Sequence, residues 1–523
     1  MSEHFPALIL LAPLFGALVI GLFGLRDHRV CLPATLSALA VSLFAAIALA
    51  RQVATGGPVD YFMAGWEEPL GIGIQLRADA INSLLLIVIA VVSLLAAVFT
   101  IRPAGERDTE KTPYFYILFL LLAVGLFGIT IAGDAFNVFV LIEVTALSSY
   151  GLVAIGSSKR CKVAAFHYLI MGTVGASFYL LGVGYLYLKL GSLNMQDIHR
   201  ILDADGTLHD TRAIRTAFVF ILVGIWTKMA LFPLHGWLPN AYSYSPSGSA
   251  AILAPLVTKV SVYVMVRMMV SVFGLDRLEM NVDWGHLVVW LAVIAIVAGS
   301  MMALAQREVK KMLCCLIIAE VGYMVGGAWL GDPGRWGITG TLYHILADAL
   351  MTSCLFLAAG AFAKWLGVVK LEDLSGLFRK MPLAATGFVI GGLAIIGVPP
   401  TCGFYSKFYL IRGGIESGQW IYVAALIGSS LVNAVLFFRI FEIAYFGKNP
   451  VASHAHGHGP DDHGPHDHTH DEAPVVRREP PLHALVPVLI AAALLVLLGI
   501  FNGPIVEFIR TGLIETAKVV SNG

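Results

Sequence analysis

From Phe5 onward the chain alternates apolar stretches of about helix-spanning length with short polar connections. A helix that crosses hydrocarbon needs about 20 apolar residues. Such stretches lie near 5–25, 31–50, 80–101, 113–132, 135–156, 163–190, 213–232, 249–273, 284–304, 311–330, 335–362, 384–411, 420–446 and 483–509. The pattern predicts an all-α polytopic membrane protein with about fourteen transmembrane helices. One segment departs from it. Between Val59 and Asp79 the stretch GIGIQLRAD alternates with a period of two, which predicts a short hairpin before the third span.

Two of the apolar runs are interrupted. The seventh reads WTKMALFPLHGWLP and the twelfth reads GLAIIGVPPTCGFYSKFYLI. Each carries proline and glycine, and each has a lysine beside the break, Lys228 and Lys407. Proline alone says little, because membrane helices tolerate it. The two breaks lie five spans apart, and an odd offset gives them opposite orientations. Paired broken helices of this kind point to an inverted-repeat transporter with a site near the middle of the membrane.

Composition narrows the class. Of 523 residues, 58% are hydrophobic and 13% charged, about half the charged share of a soluble chain. The formal net charge is zero, so no basic face calls for nucleic acid. The six cysteines lie in or beside apolar runs without metal-ligand spacing. There is no CxxC, no phosphate loop and no dinucleotide fingerprint, so no cofactor is expected on this chain. The first run, FPALILLAPLFGALVIGLFG, has the length of a full span rather than of a cleavable signal. Lysine and arginine concentrate in alternate loops, including Lys159/Arg160/Lys162 and Arg307/Lys310/Lys311. The rich side is expected to be cytoplasmic. With an even span count, both termini then face the outer, periplasmic side of the cell (inner) membrane.

Charges inside the apolar runs carry the candidate chemistry. A charge at mid-bilayer costs about 2.5–3.5 kcal/mol on insertion scales. Glu143 lies in the fifth span, Lys228 in the seventh, Lys259 in the eighth and Glu320 in the tenth. His344 and Asp348 lie one turn apart in the eleventh, and Lys407 lies in the twelfth. Any one of these would serve as a local salt bridge between helices. Six helices carrying them call for a common reason. Lysine gives up its proton readily when desolvated, and a nearby carboxylate opposes that release. A Glu–Lys pair can therefore switch a lysine between holding and releasing a proton. On this reading Lys228 is a titrating station, the break beside it a wet hinge, and His235 a relay.

The stretches FNVFVLIEVTALSSYGLVA, WTKMALFPLHGWLPNAYSYSPSGSAAILAPLVTKVSVYVMVR and PPTCGFYSKF resemble one family. It comprises the antiporter-like membrane subunits of respiratory complex I, the D-type subunits of Mrp cation/proton antiporters, and the membrane arms of energy-converting hydrogenases. The resemblance covers residues of about 70 to 445. It implies two inverted five-helix repeats, spans 4–8 and 9–13, and proton movement along a hydrated axis. It implies that Glu143 and Lys228 form the Glu–Lys pair, Lys259 is the central lysine and Lys407 the terminal one. His235 and His344 match family histidines, and the lysine at 407 favours the D-type branch. The eleventh helix departs from relatives that read H-x-x-N-H-A-x-x-K. Asp348 stands where they have histidine, and Thr352 where they have lysine. Glu320 stands where many have an uncharged polar residue. Lys407 is therefore expected to be linked to His344 by water, with Asp348 tuning its protonation.

The resemblance divides the chain into 1–110 (helices 1–3 and the hairpin), 111–275 (first repeat), 280–446 (second repeat), 449–480 (a loop) and 481–523 (the last helix). The loop carries His454, His456, His458, His463, His466, His468 and His470. It is polar and Gly/Pro-bearing, so it is expected to be a disordered cytoplasmic linker with weak affinity for zinc or nickel. The expected function is proton, or cation/proton, translocation as one subunit of a larger assembly, with sodium a second candidate ion. Its partners are other membrane subunits and the bilayer. Two competing readings are a non-conducting scaffold and, less favoured, a divalent-metal transporter using the histidine loop and the His344/Asp348 pair. If a redox enzyme hosts the chain, its redox groups belong to other subunits.

Overall fold

The computed structural model describes residues 4–63, 74–101, 109–275, 282–447 and 479–521. The histidine loop lies outside them. A helix occupies each of the fourteen predicted segments. Among the described residues eleven helices are long and apolar enough to cross a membrane by themselves, and Ser83–Phe99 and Pro382–Ile396 are shorter apolar helices.

The helices run α1 (Phe5–Val19), α2 (Cys31–Gly56), α3 (Ser83–Phe99), α4 (Thr112–Ile131), α5 (Ala135–Ala154), α6 (Lys159–Leu190), α7 (Met195–Ala204), α8 (Arg212–Met229), α9 (Leu238–Tyr244) and α10 (Ser247–Met268). They continue with α11 (Val282–Ala305), α12 (Val309–Ala328), α13 (Trp336–Ala361), α14 (Pro382–Ile396), α15 (Cys402–Glu416), α16 (Trp420–Phe446), α17 (Leu482–Ile500) and α18 (Asn502–Ser521). The last predicted span, 483–509, is two helices rather than one. Asn502-Gly503-Pro504 ends α17 and starts α18, where proline suits a first turn. The predicted hairpin is present as an antiparallel pair, β1 (Val59–Phe62) with β2 (Gln75–Ala78), in the register Val59↔Ala78.

Burial sorts the helices. Side chains of α10, α12 and α13 are almost wholly buried, as expected of helices that are apolar all round. α10 packs on α13, and α13 in turn on α12, α15 and α17. By contrast α6 and α16 present large exposed apolar side chains such as Phe166, Leu181, Leu431 and Phe438. Those faces suit lipid or neighbouring membrane proteins. Close approach is set by small residues. Gly175 on α6 and Gly224 on α8 face one another, and a Cβ on Gly224 would stand 2.6 Å from the Gly175 carbonyl oxygen.

Both interrupted segments are broken in the structure. α8 stops at Met229 with Ala230 in the left-handed region, φ 61°, and the chain turns through residues 230–237 before α9. α14 stops at Ile396 with Gly397 at φ 93°, and α15 resumes at Cys402. Left-handed residues end helices commonly, and glycine takes that conformation without a Cβ clash. Ala230 does so as a non-glycine residue. The turn after α8 is closed by Trp237, whose Nε1 donates to the Thr227 carbonyl at 3.1 Å. That carbonyl is one of those a helix end leaves without an intrahelical partner.

Candidate functional site

The charged residues singled out from the sequence gather along the interior, in two groups. In the first, the Lys228 ammonium lies 3.7 Å from Glu143 Oε1. Lys228 sits in the last turn of α8, where the C-terminal helix end favours a cation. Neither Lys228 Nζ nor Glu143 Oε1 has another hydrogen-bond partner. Lys228 is nearly buried, whereas Glu143 keeps 31% of its side chain exposed on the lateral face of α5. His235 lies in the turn between α8 and α9 and stacks on Phe232 at 5.0 Å. It is half-buried, and its Nδ1 has no hydrogen-bond partner. A cavity of about 30 Å³ opens beside Lys228 and runs to α10, lined there by Val257, Val260 and Ser261. Tyr168, Tyr179 and Thr145 also face it. That volume holds about two waters.

The second group is wholly buried. Lys259 on α10 lies 3.2 Å from Asp348 Oδ2 on α13. Its ammonium also donates to Thr352 Oγ1 at 3.2 Å and to the Ala254 carbonyl at 3.3 Å. Thr352 in turn donates to Asp348 Oδ1 at 2.8 Å. One turn back along α13, His344 Nε2 meets Glu320 Oε2 at 2.7 Å, and His344 Nδ1 meets Ser406 Oγ at 2.9 Å. Glu320 Oε1 has no hydrogen-bond partner. It lines a cavity of about 10 Å³ together with Asp348 and Thr352, space on the order of one water.

Lys407 on α15 completes the row. Its ammonium donates to the Ile395 carbonyl at 2.6 Å, the residue before α14 ends, and to Ser430 Oγ at 3.0 Å. It also stands 5.1 Å from the centre of the Tyr323 ring. The break between α14 and α15 thus supplies a free carbonyl to a buried ammonium, which is the use expected of such a break.

Asp348 makes its direct contact with Lys259 rather than with Lys407. The reason is the packing of α10 on α13, which brings positions 259 and 352 within hydrogen-bond reach. A lysine at 352 would meet Lys259 there. Threonine with an acid one turn away replaces that contact by an ion pair. His344 reaches α15 through Ser406, the neighbour of Lys407, rather than through Lys407 itself.

Glu320, His344 and Asp348 each offer a ligand atom within 4.8 Å of the others. Their chemistry fits a dication poorly. Both His344 nitrogens already face protein partners, Asp348 faces an ammonium, and the cluster is flanked by Lys259 and Lys407. The seven loop histidines, from His454 to His470, lie outside the described residues.

Sequence reasoning did not single out Ser406, Ser430 or Tyr323, nor the buried Asp79 and Arg267. Ser406 and Tyr323 had a signal, adjacency to Lys407 and one helical turn from Glu320. Arg267 had one as well, since it lies two turns beyond Lys259 on the same helix face.

The family described as "NADH:quinone oxidoreductase/Mrp antiporter, TM" matches residues 132–432. The chain is 40% identical over 512 residues to an NADH-quinone oxidoreductase subunit N of Desulforudis audaxviator, covering 97% of this chain and 98% of that protein. It is 29% identical over 446 residues to the D-type subunit of a Na(+)/H(+) antiporter of Bacillus subtilis, covering 85% and 88%. Among solved structures, a chain of the membrane-bound sulfane sulfur reductase, an archaeal respiratory membrane complex, superposes with a TM-score of 0.85 at 27% identity. That match covers 99% of both chains.

Proposed function

Because the chain belongs to the NADH:quinone oxidoreductase/Mrp antiporter membrane family, we propose that it conducts protons, or exchanges them for a cation, as one subunit of a multisubunit membrane assembly. The observation that carries this is the row of interior ionisable side chains on six helices: Glu143, Lys228, Lys259, Asp348, His344 with Glu320, and Lys407. Burying several charges costs stability unless each is paired, and apolar residues of similar size would often serve the fold as well. A scaffold needs no such row. Two cavities punctuate it, one beside Lys228 and one between Glu320 and Asp348.

In this reading the proton is held in turn by Lys228, Lys259 and Lys407. Each faces a group that biases its charge. Glu143 faces Lys228 and Asp348 faces Lys259, while Lys407 faces the Ile395 carbonyl, Ser430 and the Tyr323 ring. His235 connects the first group to one side of the membrane, and His344 with Ser406 connects the second group to α15. Residues 111–275 and 280–446 would be the two inverted repeats, each with one broken helix. The excess of lysine and arginine on alternate loops favours both termini on the outer face. The partly exposed Glu143 and the apolar flanks of α5 and α6 favour a membrane subunit as the lateral partner.

The test is proton movement by the assembled complex in vesicles with Glu143→Ala or Lys228→Ala. Loss of most translocation at normal assembly supports conduction. Near-native translocation in both variants leaves the scaffold reading standing instead.

A further inference from the structure

The helix that carries Lys259 bears a second buried charge. Arg267 lies eight residues on, two turns and about 12 Å along the same face of α10. Its guanidinium Nη1 donates to Asp79 Oδ2, and both side chains are about 95% buried. Tyr263 occupies the position midway between them, and its hydroxyl donates to the Thr130 carbonyl at 2.9 Å. Lys259, Tyr263 and Arg267 thus form one polar stripe from mid-helix to the end that meets the β-hairpin. At that end Asp79 is fixed on every side. Its Oδ1 accepts from the backbone N–H of Ile81 and Asn82 at 3.0 and 3.2 Å. Arg77 Nε lies 3.8 Å from its Oδ2, and Arg77 Nη1 lies 3.2 Å from Asp60 Oδ2 on the hairpin's other strand. Asn82 ties the same corner to α4, donating to the Thr130 carbonyl at 3.0 Å and to the Arg77 carbonyl at 2.7 Å.

We propose that the Asp79–Arg267 pair is an electrostatic seal on the hairpin side of Lys259, excluding protons and cations from that lysine when no transport is under way. Arginine stays charged under all physiological conditions. A charged guanidinium seated in a polar stripe occupies the place a cation would take, and its pairing leaves no bare carboxylate to attract one. Arg267 has the position for this, between Lys259 and the hairpin, where Asp60 is exposed. Asp79 holds the arginine in the stripe. Arg267 Nε has no acceptor among the described residues, which leaves a donor able to anchor a water at the seal itself. A buried ion pair serves a fold little better than apolar side chains do, so a merely structural role gives weak reason for an arginine here. The inference rests on the reading of Lys259 as a proton station.

The experiment is passive proton entry into vesicles that hold the assembled, idle complex, under an imposed pH gradient read by an enclosed dye. Arg267→Met removes the charge and keeps much of the length. It is expected to raise passive entry about tenfold, the effect of a barrier lowered by one decade in rate. Arg267→Lys keeps a charge and is expected to stay tight. Where Arg267→Met does not accumulate, Arg267→Gln takes its place. Vesicles with a neutral residue at 267 that remain as tight as native ones overturn the seal, and so does a leak in Arg267→Lys. The Lys259→Met background separates the two layers of the argument. A leak that disappears there runs through Lys259 and supports both. A leak that persists there keeps the seal and removes Lys259 as the station behind it.

Discussion

The Lys259 ammonium lies 3.2 Å from the Asp348 carboxylate, and neither side chain has any exposure. The pair joins α10 to α13, two of the three almost wholly buried helices. A lone charge left at such a site costs about 3–5 kcal/mol, whereas replacing both partners by apolar groups is often neutral. Asp348→Ala should therefore destabilise the protein by roughly that amount. Asp348→Leu combined with Lys259→Met should recover most of the loss. Thermal unfolding of the purified complex measures both, and a double variant that loses the sum of the two single losses would show that the two charges are not coupled.

Glu143 and Lys228 make a different demand, because what matters in the proposed path is that Lys228 can release its proton. Lys228→Arg keeps the charge and the ion pair but cannot deprotonate. It should assemble with native stability and lose most proton translocation. Translocation by Lys228→Arg at the native rate would mean that position 228 supplies charge alone.

The Glu320–His344–Ser406 chain predicts graded effects. Ser406→Ala removes the Nδ1 partner of His344, a loss of about 1 kcal/mol for a neutral hydrogen bond, and should slow translocation without abolishing it. Glu320→Gln keeps a hydrogen-bonding shape beside His344 Nε2 but removes the acid, and should be the more damaging of the two. Rates measured side by side in vesicles check the order, and the reverse order contradicts a protonatable role for Glu320.

Thr352 lies at the contact between α10 and α13. Its hydroxyl stands 3.2 Å from Lys259 Nζ. Thr352→Lys alone would place a second ammonium beside the first, and should lower both stability and transport. Native behaviour of that variant would show that the α10–α13 contact is looser than its geometry implies.

The loop from His454 to His470 is expected to be dispensable. Removing it should leave assembly and transport nearly unchanged while abolishing weak zinc or nickel binding. Lost transport at normal expression would give the loop a role beyond linkage.

Much of this was legible in the sequence. Apolar run length placed the helices, and proline with glycine placed both breaks, because those residues act on the backbone locally. Isolated charges in apolar runs marked Glu143, Lys228, Lys259, Glu320, His344, Asp348 and Lys407, because a buried charge is costly wherever it occurs. Pairings were less legible. That Asp348 serves Lys259 depends on how α10 packs on α13, a contact between residues 89 positions apart. The Asp79–Arg267 pair spans 188 positions. Ser430, which accepts from Lys407, carries no signal of its own, since serine in a membrane helix commonly bonds its own backbone. The split at Phe501 was hidden by the apolar run across it.

The most direct test of conduction through the interior row is Lys259→Met in the assembled complex. Lys259 is fully buried, and it lies between the groups around Lys228 and Lys407. Methionine matches its length without the charge. Proton translocation should be measured in vesicles together with turnover of the driving reaction or ion gradient, and with Asp348→Leu present so that no buried acid is left unpaired. The account predicts that the double variant assembles, and that its translocation falls to near background. Translocation at the native rate in that assembled variant would contradict it.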